Sequence, residues 1–339
     1  MIKEATNSEE SMVLATIIHV EGSAYLKEGT MMLFLENGTK IGFISPGCLE
    51  EDLFYQVKEI LITGGSRTLV YDLSSHGDFS WGQGMGCNGK IYLLLEYIDA
   101  KVKVNLRSVL HFLHHGIEVL HVKKLTSDFS VVASAYITKT GLIFGGMDQV
   151  ILENPNWNSP TGTNLSNFVY SQVYPPQNKL IIFGAGADAR PLANYAADIG
   201  ISVTVCDWRE SLCNKTFFPK AEECIIGFPH EMFQKLEIKQ NDFVVLMTHH
   251  FKRDHEILAY LKEQKPGYLG IMGSQERTKR LFRQNQIPSW VSAPVGLPIG
   301  AVGPGEIAIS IVAEIIVVIR KKQEEINDEG GWDLPCCRG

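Results

Sequence analysis

Two different rhythms of apolar residues run along this chain, one in each half. Met12 to Val20 is almost continuously apolar and β-branched, and Met31–Leu35 and Ile41–Ile44 repeat the pattern in shorter runs. Glycine-containing connections separate them, so three strands are expected. Leu49, Leu53, Val57, Ile60 and Leu61 recur at helical spacing, which predicts a helix from Leu49 to Ile62, ended by Gly64-Gly65. Thr68–Leu73 and Lys90–Tyr97 read as strands again. A short helix (Leu106–His114) then leads into strands at Val131–Thr138 and Leu142–Phe144.

Periodicity then fades. Glu153 to Gln177 is rich in Asn, Pro, Ser and Thr, with Asn154-Pro155-Asn156 and Pro175-Pro176, and reads as a linker. Beyond it short apolar strands alternate with amphipathic helices. The strands are Leu180–Phe183, Val203–Cys206, Phe243–Met247 and Tyr268–Met272. The helices are Asp188–Ile199, Asp254–Glu263, Gln275–Arg283 and a last one from Gly303 to about Arg320. Continuous apolar strands between helices imply a parallel sheet covered on both faces. The expected fold class is therefore α/β: an N-terminal mixed α+β domain (1–150), a linker (151–178), a Rossmann-like doubly wound domain (179–322) and a tail (323–339).

Composition agrees with two domains, since 339 residues exceed one ordinary core. A formal charge of −7 argues against nonspecific nucleic-acid binding, which needs clustered cations. The polar start lacks a signal peptide's apolar stretch. Ile307–Ile319 is interrupted by Glu314 and too short to span a bilayer, so no membrane span is expected. Seven cysteines without C-x-x-C spacing fit a reducing cytoplasm, and Cys336-Cys337 reads as incidental.

The candidate chemistry sits in glycine-rich turns. Ser45-Pro46-Gly47-Cys48 and Gly84-Met85-Gly86-Cys87-Asn88-Gly89 each set a cysteine where backbone can approach a ligand closely. Cys48 also precedes a predicted helix, whose dipole stabilises a thiolate. Either thiol suits a soft metal or carried sulfur, or else is a small filler in a tight turn. Later, Gly184-Ala185-Gly186-Ala187-Asp188-Ala189 is a G-x-G-x-x-A loop between strand and helix, with Asp207 where an acid commonly bonds a ribose. Asp188 stands in the first helical turn, where its carboxylate can occupy the anion site or act as an N-cap, and Arg190 is close enough in sequence to offset its charge. His249 or His250 should face the crevice at the end of a strand. Gly273 and Ser274 end a further strand in a second glycine-lined turn, and Glu306, Ser310 and Glu314 form a helical stripe expected to line the crevice or a contact between copies of the chain.

Together these pieces resemble the xanthine dehydrogenase accessory factor (XdhC/CoxI) family over nearly the whole chain. The resemblance is carried by Gly22-Ser23-Ala24-Tyr25, Ile44 to Glu50, Gly84 to Gly89, Phe183 to Leu192, Met247-Thr248-His249 with Asp254, Gly270 to Ser274, Pro294 to Ala301 and Glu306 to Glu314. Three departures stand out: the basic residues usual after Tyr25 are reduced to Lys27, beside Leu26; Pro46 replaces a glycine; and Pro298 stands where aspartate is common. The resemblance implies a chaperone, without turnover of its own, that binds the molybdenum cofactor. It would protect the cofactor while a cysteine desulfurase installs a sulfido ligand and deliver it to a xanthine dehydrogenase-type molybdoenzyme, as a homo-oligomer, most simply a homodimer. Cys48 would ligate molybdenum or hold sulfur, with Cys87 as partner and Gly47 opening the turn. Gly184, Gly186, Asp188, Arg190, Asp207 and His249 would cradle the cofactor, with Gly273 and Ser274 at a phosphate or pterin edge. Two alternatives remain: an NAD(P)-dependent oxidoreductase using the Rossmann half, and an assembly scaffold that holds no cofactor.

Overall fold

The computed structural model describes residues 1–44, 49–73, 88–146, 157, 161–284 and 286–328. The chain forms two compact units, Met1–Pro176 and Gln177–Gly339.

The first unit contains two antiparallel sheets. Its elements are α1 (Ile2–Asn7), β1 (Met12–Ser23), β2 (Met31–Leu35), β3 (Lys40–Ile41), α2 (Glu50–Thr63), β4 (Ser66–Asp72), β5 (Asn88–Tyr97), α3 (Ala100–His114), β6 (Val119–Leu125), β7 (Val131–Thr138), β8 (Ile143–Gly145), β9 (Gly162–Asn164) and β10 (Val169–Tyr174). One sheet has the order β3-β2-β1-β5-β4, the other β8-β7-β6-β10-β9. Period-two alternation gives each strand two faces. Val13, Ala15 and Ile17 of β1 pack with Leu49, Leu53, Val57 and Ile60 from and beside α2. A bulge between Ile17 and His19 shifts the register, and Ile18 joins Leu94, Leu125, Phe129 and Tyr170 in a core shared by both sheets.

Three expectations change here. The stretch read as a linker carries β9 and β10, and β10 pairs with β6 from Val169↔Lys124 to Tyr174↔Val119. Tyr170 and Tyr174 are buried there, and Gln172 on their face of β10 accepts from the Tyr170 hydroxyl. The strand expected over Ile41–Ile44 ends at Ile41, because Gly42 turns with φ +86° and a Cβ there would lie 2.8 Å from the Met31 carbonyl. The helix expected from Leu106 starts at Ala100, capped by the Asp99 carboxylate, which accepts from the Val102 N–H at 2.7 Å.

The second unit is doubly wound. It comprises β11 (Lys179–Phe183), α4 (Ala189–Asp198), β12 (Ser202–Asp207), β13 (Glu223–Ile226), α5 (Pro229–Lys235), β14 (Phe243–Leu246), α6 (Phe251–Gln264), β15 (Tyr268–Ile271), α7 (Gln275–Phe282), β16 (Val291–Ser292) and α8 (Gly303–Asp328). Six parallel strands lie in the order β13-β12-β11-β14-β15-β16, so the direction of strand addition reverses between β11 and β14. Leu180 and Ile182 face α4 and α8, while Ile181 and Phe183 face α5, α6 and α7. Both sides of each inner strand are buried, as the continuous apolar runs predicted. Helix α8 runs past the expected end at Arg320, to Asp328.

No described helix is long and apolar enough to cross a membrane.

Candidate functional site

The carboxyl ends of β11 and β14 meet where the strand order reverses, the place where open α/β sheets bind ligands. The Met247 N–H donates to the Phe183 carbonyl at 2.8 Å, which holds the two strand ends together. Gly184 follows with φ +122°, and a Cβ on it would lie 2.4 Å from the Met247 carbonyl oxygen. This glycine is required by close packing of the two loops, whatever else it contacts.

Asp207, at the end of β12, is fully buried. Its Oδ2 accepts from the Ala185 N–H and from Arg209 Nη2, both at 2.7 Å. Its Oδ1 accepts from the Arg209 N–H at 2.8 Å and Arg209 Nε at 2.9 Å. Burial raises the carboxyl pKa, but these hydrogen bonds outweigh it and hold the group below the usual range. Both oxygens are committed, so the residue expected to bond a ribose instead braces the glycine loop. Arg209, which sequence reasoning passed over, is the partner that makes this brace; its place two residues beyond a strand-ending acid was the available signal.

Asp188 makes no side-chain cap bond to α4. Its Oδ1 lies 2.4 Å from where a Gly186 Cβ would stand, and its Oδ2 is 2.6 Å from His249 Nε2. The loop's opening is therefore met by a carboxylate of the chain itself, braced by an imidazole from the neighbouring strand end. His249 is held at φ +58°, and its side chain stays mostly exposed. The Arg190 guanidinium stacks on Phe217, its carbon 3.8 Å from the ring centroid, and its Nε is buried without a hydrogen-bond partner among the described residues.

Beside this pair, Thr248 and Arg277 both bond the buried Asp254, tying the loop after β14 to α6 and α7. Ser274 caps α7, accepting from the Arg277 N–H at 3.2 Å, and Gly273 turns at φ +114° against the Arg277 stem. His250 caps α6 through Nδ1, with its ring edge-on to Trp208 at 5.8 Å. Arg209 and Arg253 approach that indole at 4.9 and 5.9 Å from its centroid. Trp208, Arg209 and Arg253 thus put a flat ring and two cations at the crevice, none of which the motif reading singled out. Of the expected stripe, Glu306 accepts from the Val302 N–H at 2.7 Å. Glu314 gathers the Tyr268 hydroxyl (2.7 Å), Ser292 Oγ (2.5 Å) and the Gly296 N–H (2.6 Å), so it anchors the loop before α8.

Gly47, Cys48 and Cys87 lie outside the described residues. The described free thiols, Cys206, Cys213 and Cys224, are all raised in pKa by burial, Cys213 to about 12, and are protonated at neutral pH. No cluster of metal-ligating side chains occurs among the described residues.

Comparison with known proteins places the chain. Residues 5–72 match the family described as "XdhC and CoxI family", residues 100–175 "BH1974-like, central domain", and residues 180–315 "XdhC Rossmann domain". The chain is 40% identical over 321 residues to a probable xanthine dehydrogenase subunit of Bacillus subtilis (strain 168), covering 93% of this chain and 96% of that one. It is 26% identical over 330 residues to "Molybdenum cofactor insertion chaperone PaoD" of Escherichia coli (strain K12), covering 95% and 87%. Among solved structures, that of a xanthine dehydrogenase (BH1974) from Bacillus halodurans superposes with a TM-score of 0.81 at 44% identity, covering 95% of each chain. A match of both end domains in order, with full-length relatives at this identity, leads to one conclusion: the chain belongs to the XdhC and CoxI family.

Proposed function

We propose that this protein carries the molybdenum cofactor as cargo. It holds the cofactor while a cysteine desulfurase supplies a sulfido ligand, and hands it to a xanthine dehydrogenase-type molybdoenzyme, acting in the cytoplasm as a homodimer without turnover of its own. The observation that carries this reading is the Asp188 carboxylate at the opening of the glycine loop, backed by His249. A resident dinucleotide needs that opening free for its pyrophosphate. A cargo that must later leave is served by an opening that the chain's own carboxylate competes for. The cargo's phosphate would be met by Arg209 and Arg253, and its flat pterin by Trp208, with Gly184, Gly186, Gly273 and Ser274 shaping the walls and Arg190, on α4, packed over Phe217 beside the loop. Full-length similarity to a named insertion chaperone points the same way.

The roles of Cys48 as soft ligand or sulfur holder, Cys87 as its partner and Gly47 as the turn belong to the same proposal. Protein purified without oxygen should carry molybdenum and pterin, and Cys48→Ala should lose both while its melting temperature stays at the wild-type value. Retention by that variant would remove the thiol's role. If neither component copurifies and added cofactor does not bind, the carrier reading fails and a cofactor-free scaffold stands. The oxidoreductase alternative is disfavoured by Asp188 at the opening and by the committed carboxylate of Asp207; saturating NAD(H) and NADP(H) should leave the melting temperature unmoved.

A further inference from the structure

Between the two antiparallel sheets of the first unit lies a cavity of about 350 Å³, at the small end of the range for small-molecule sites. Strand β6 buries two polar residues against it: His121, 5% exposed, and Lys123, 3% exposed. The Lys123 ammonium meets Oε2 of Glu96 on β5, joining one sheet to the other. An ammonium has three N–H donors and a carboxylate two oxygens. Among the described residues, Lys123 has no further acceptor and Glu96 Oε1 no donor. Tyr136 lines the same space at 4% exposure, and its hydroxyl has no protein partner among the described residues.

Neighbouring groups are satisfied. The Tyr170 hydroxyl donates to Gln172 Oε1 at 2.7 Å, and His121 lies between the Tyr174 hydroxyl (3.3 Å) and Ser134 Oγ (2.9 Å). Burial lowers the His121 pKa well below the usual range and raises those of Tyr136, Tyr170 and Tyr174, so these rings are neutral at physiological pH. The lining cations Lys101 and Lys123 are balanced by the acids Asp99 and Glu96. A charged guest would bring an uncompensated charge into this enclosure, whereas a neutral one brings none.

We propose that this cavity binds a neutral, planar, one- or two-ring heterocycle with a lactam edge, an adjacent ring N–H and C=O. The ring carbonyl accepts from Lys123, the ring N–H donates to Glu96 Oε1, and the Tyr136 hydroxyl donates to a further ring acceptor. A donor and an acceptor standing side by side form the pattern that a lactam edge completes. None of the sequence motifs reaches this site, and the inference is independent of the carrier reading.

The test is calorimetric titration of the full-length protein with hypoxanthine and with uracil, which carry this edge on two rings and on one. Saturable binding is expected for at least one, and the one that binds tells a purine-type guest from a pyrimidine-type one. 1-Methylhypoxanthine and 1,3-dimethyluracil keep no ring N–H beside a carbonyl and should bind at least about tenfold more weakly than their parents, because Glu96 Oε1 is then left unpaired. Tyr136→Phe removes only the unpartnered hydroxyl, so it should keep the melting temperature within about 1 °C and weaken binding about fivefold. Lys123→Met should abolish binding; if that variant fails to fold, Tyr136→Phe decides. No saturable binding of either base up to about 1 mM, equal affinity for the methylated bases, or unchanged affinity in Tyr136→Phe would each overturn the proposal.

Discussion

Asp207 concentrates more of the second unit's order than any other described side chain at the crevice. One carboxylate satisfies two backbone N–H groups and a guanidinium in a fully buried position. Removing it by Asp207→Ala leaves the Ala185 N–H unmet, while Arg209, more than a third exposed, can rehydrate. A loss of about 2–3 kcal/mol at neutral pH is expected from urea denaturation. The carboxyl's pKa is depressed, so its contribution is complete above the ordinary value of 3.8 and fades as the pH falls through the lower folded value. The gap between wild type and variant should therefore narrow only in strong acid. The thiols give a second test at this scale. Protonated and enclosed, Cys206 and Cys213 should resist iodoacetamide at neutral pH in the native protein and label fully once unfolded, as read by mass spectrometry.

At the scale of elements, the junction of β11 with β14 has the least tolerance. Gly184→Ala would drive a Cβ into the Met247 carbonyl from a backbone that L-residues rarely adopt, so the variant should lose at least about 3 kcal/mol or fail to fold, by thermal unfolding. Most elements were legible in the chain because their periodicity is clean: β2 and β7 begin and end where the apolar pattern does, and the Rossmann strands read as unbroken runs. Strand β6 was missed because His121 and Lys123 occupy its inward positions; only the facing sheet, which supplies Glu96 from β5, makes their burial possible. Strand β13 and helix α5 were missed because they are too short for periodicity to build. The crevice itself was legible from the glycine loop and the strand ends. Which way Asp188, Asp207 and Arg190 turn was not, since that depends on His249, Arg209 and Phe217, distant or unremarkable in sequence.

At the scale of the whole molecule, the second unit holds a sheet with two cores of its own, one on each face. A fragment of residues 177–328 should therefore fold alone and unfold in one cooperative transition by circular dichroism. Helix α4 shares its core with α8, the last described element, across more than a hundred intervening residues. A nascent chain on the ribosome therefore cannot seal that face of β11 and β12 until α8 has emerged, and until then it presents bare aliphatic strands to the cell. Premature termination anywhere before Gly303 should send the product to inclusion bodies or proteases rather than yield a shortened working protein.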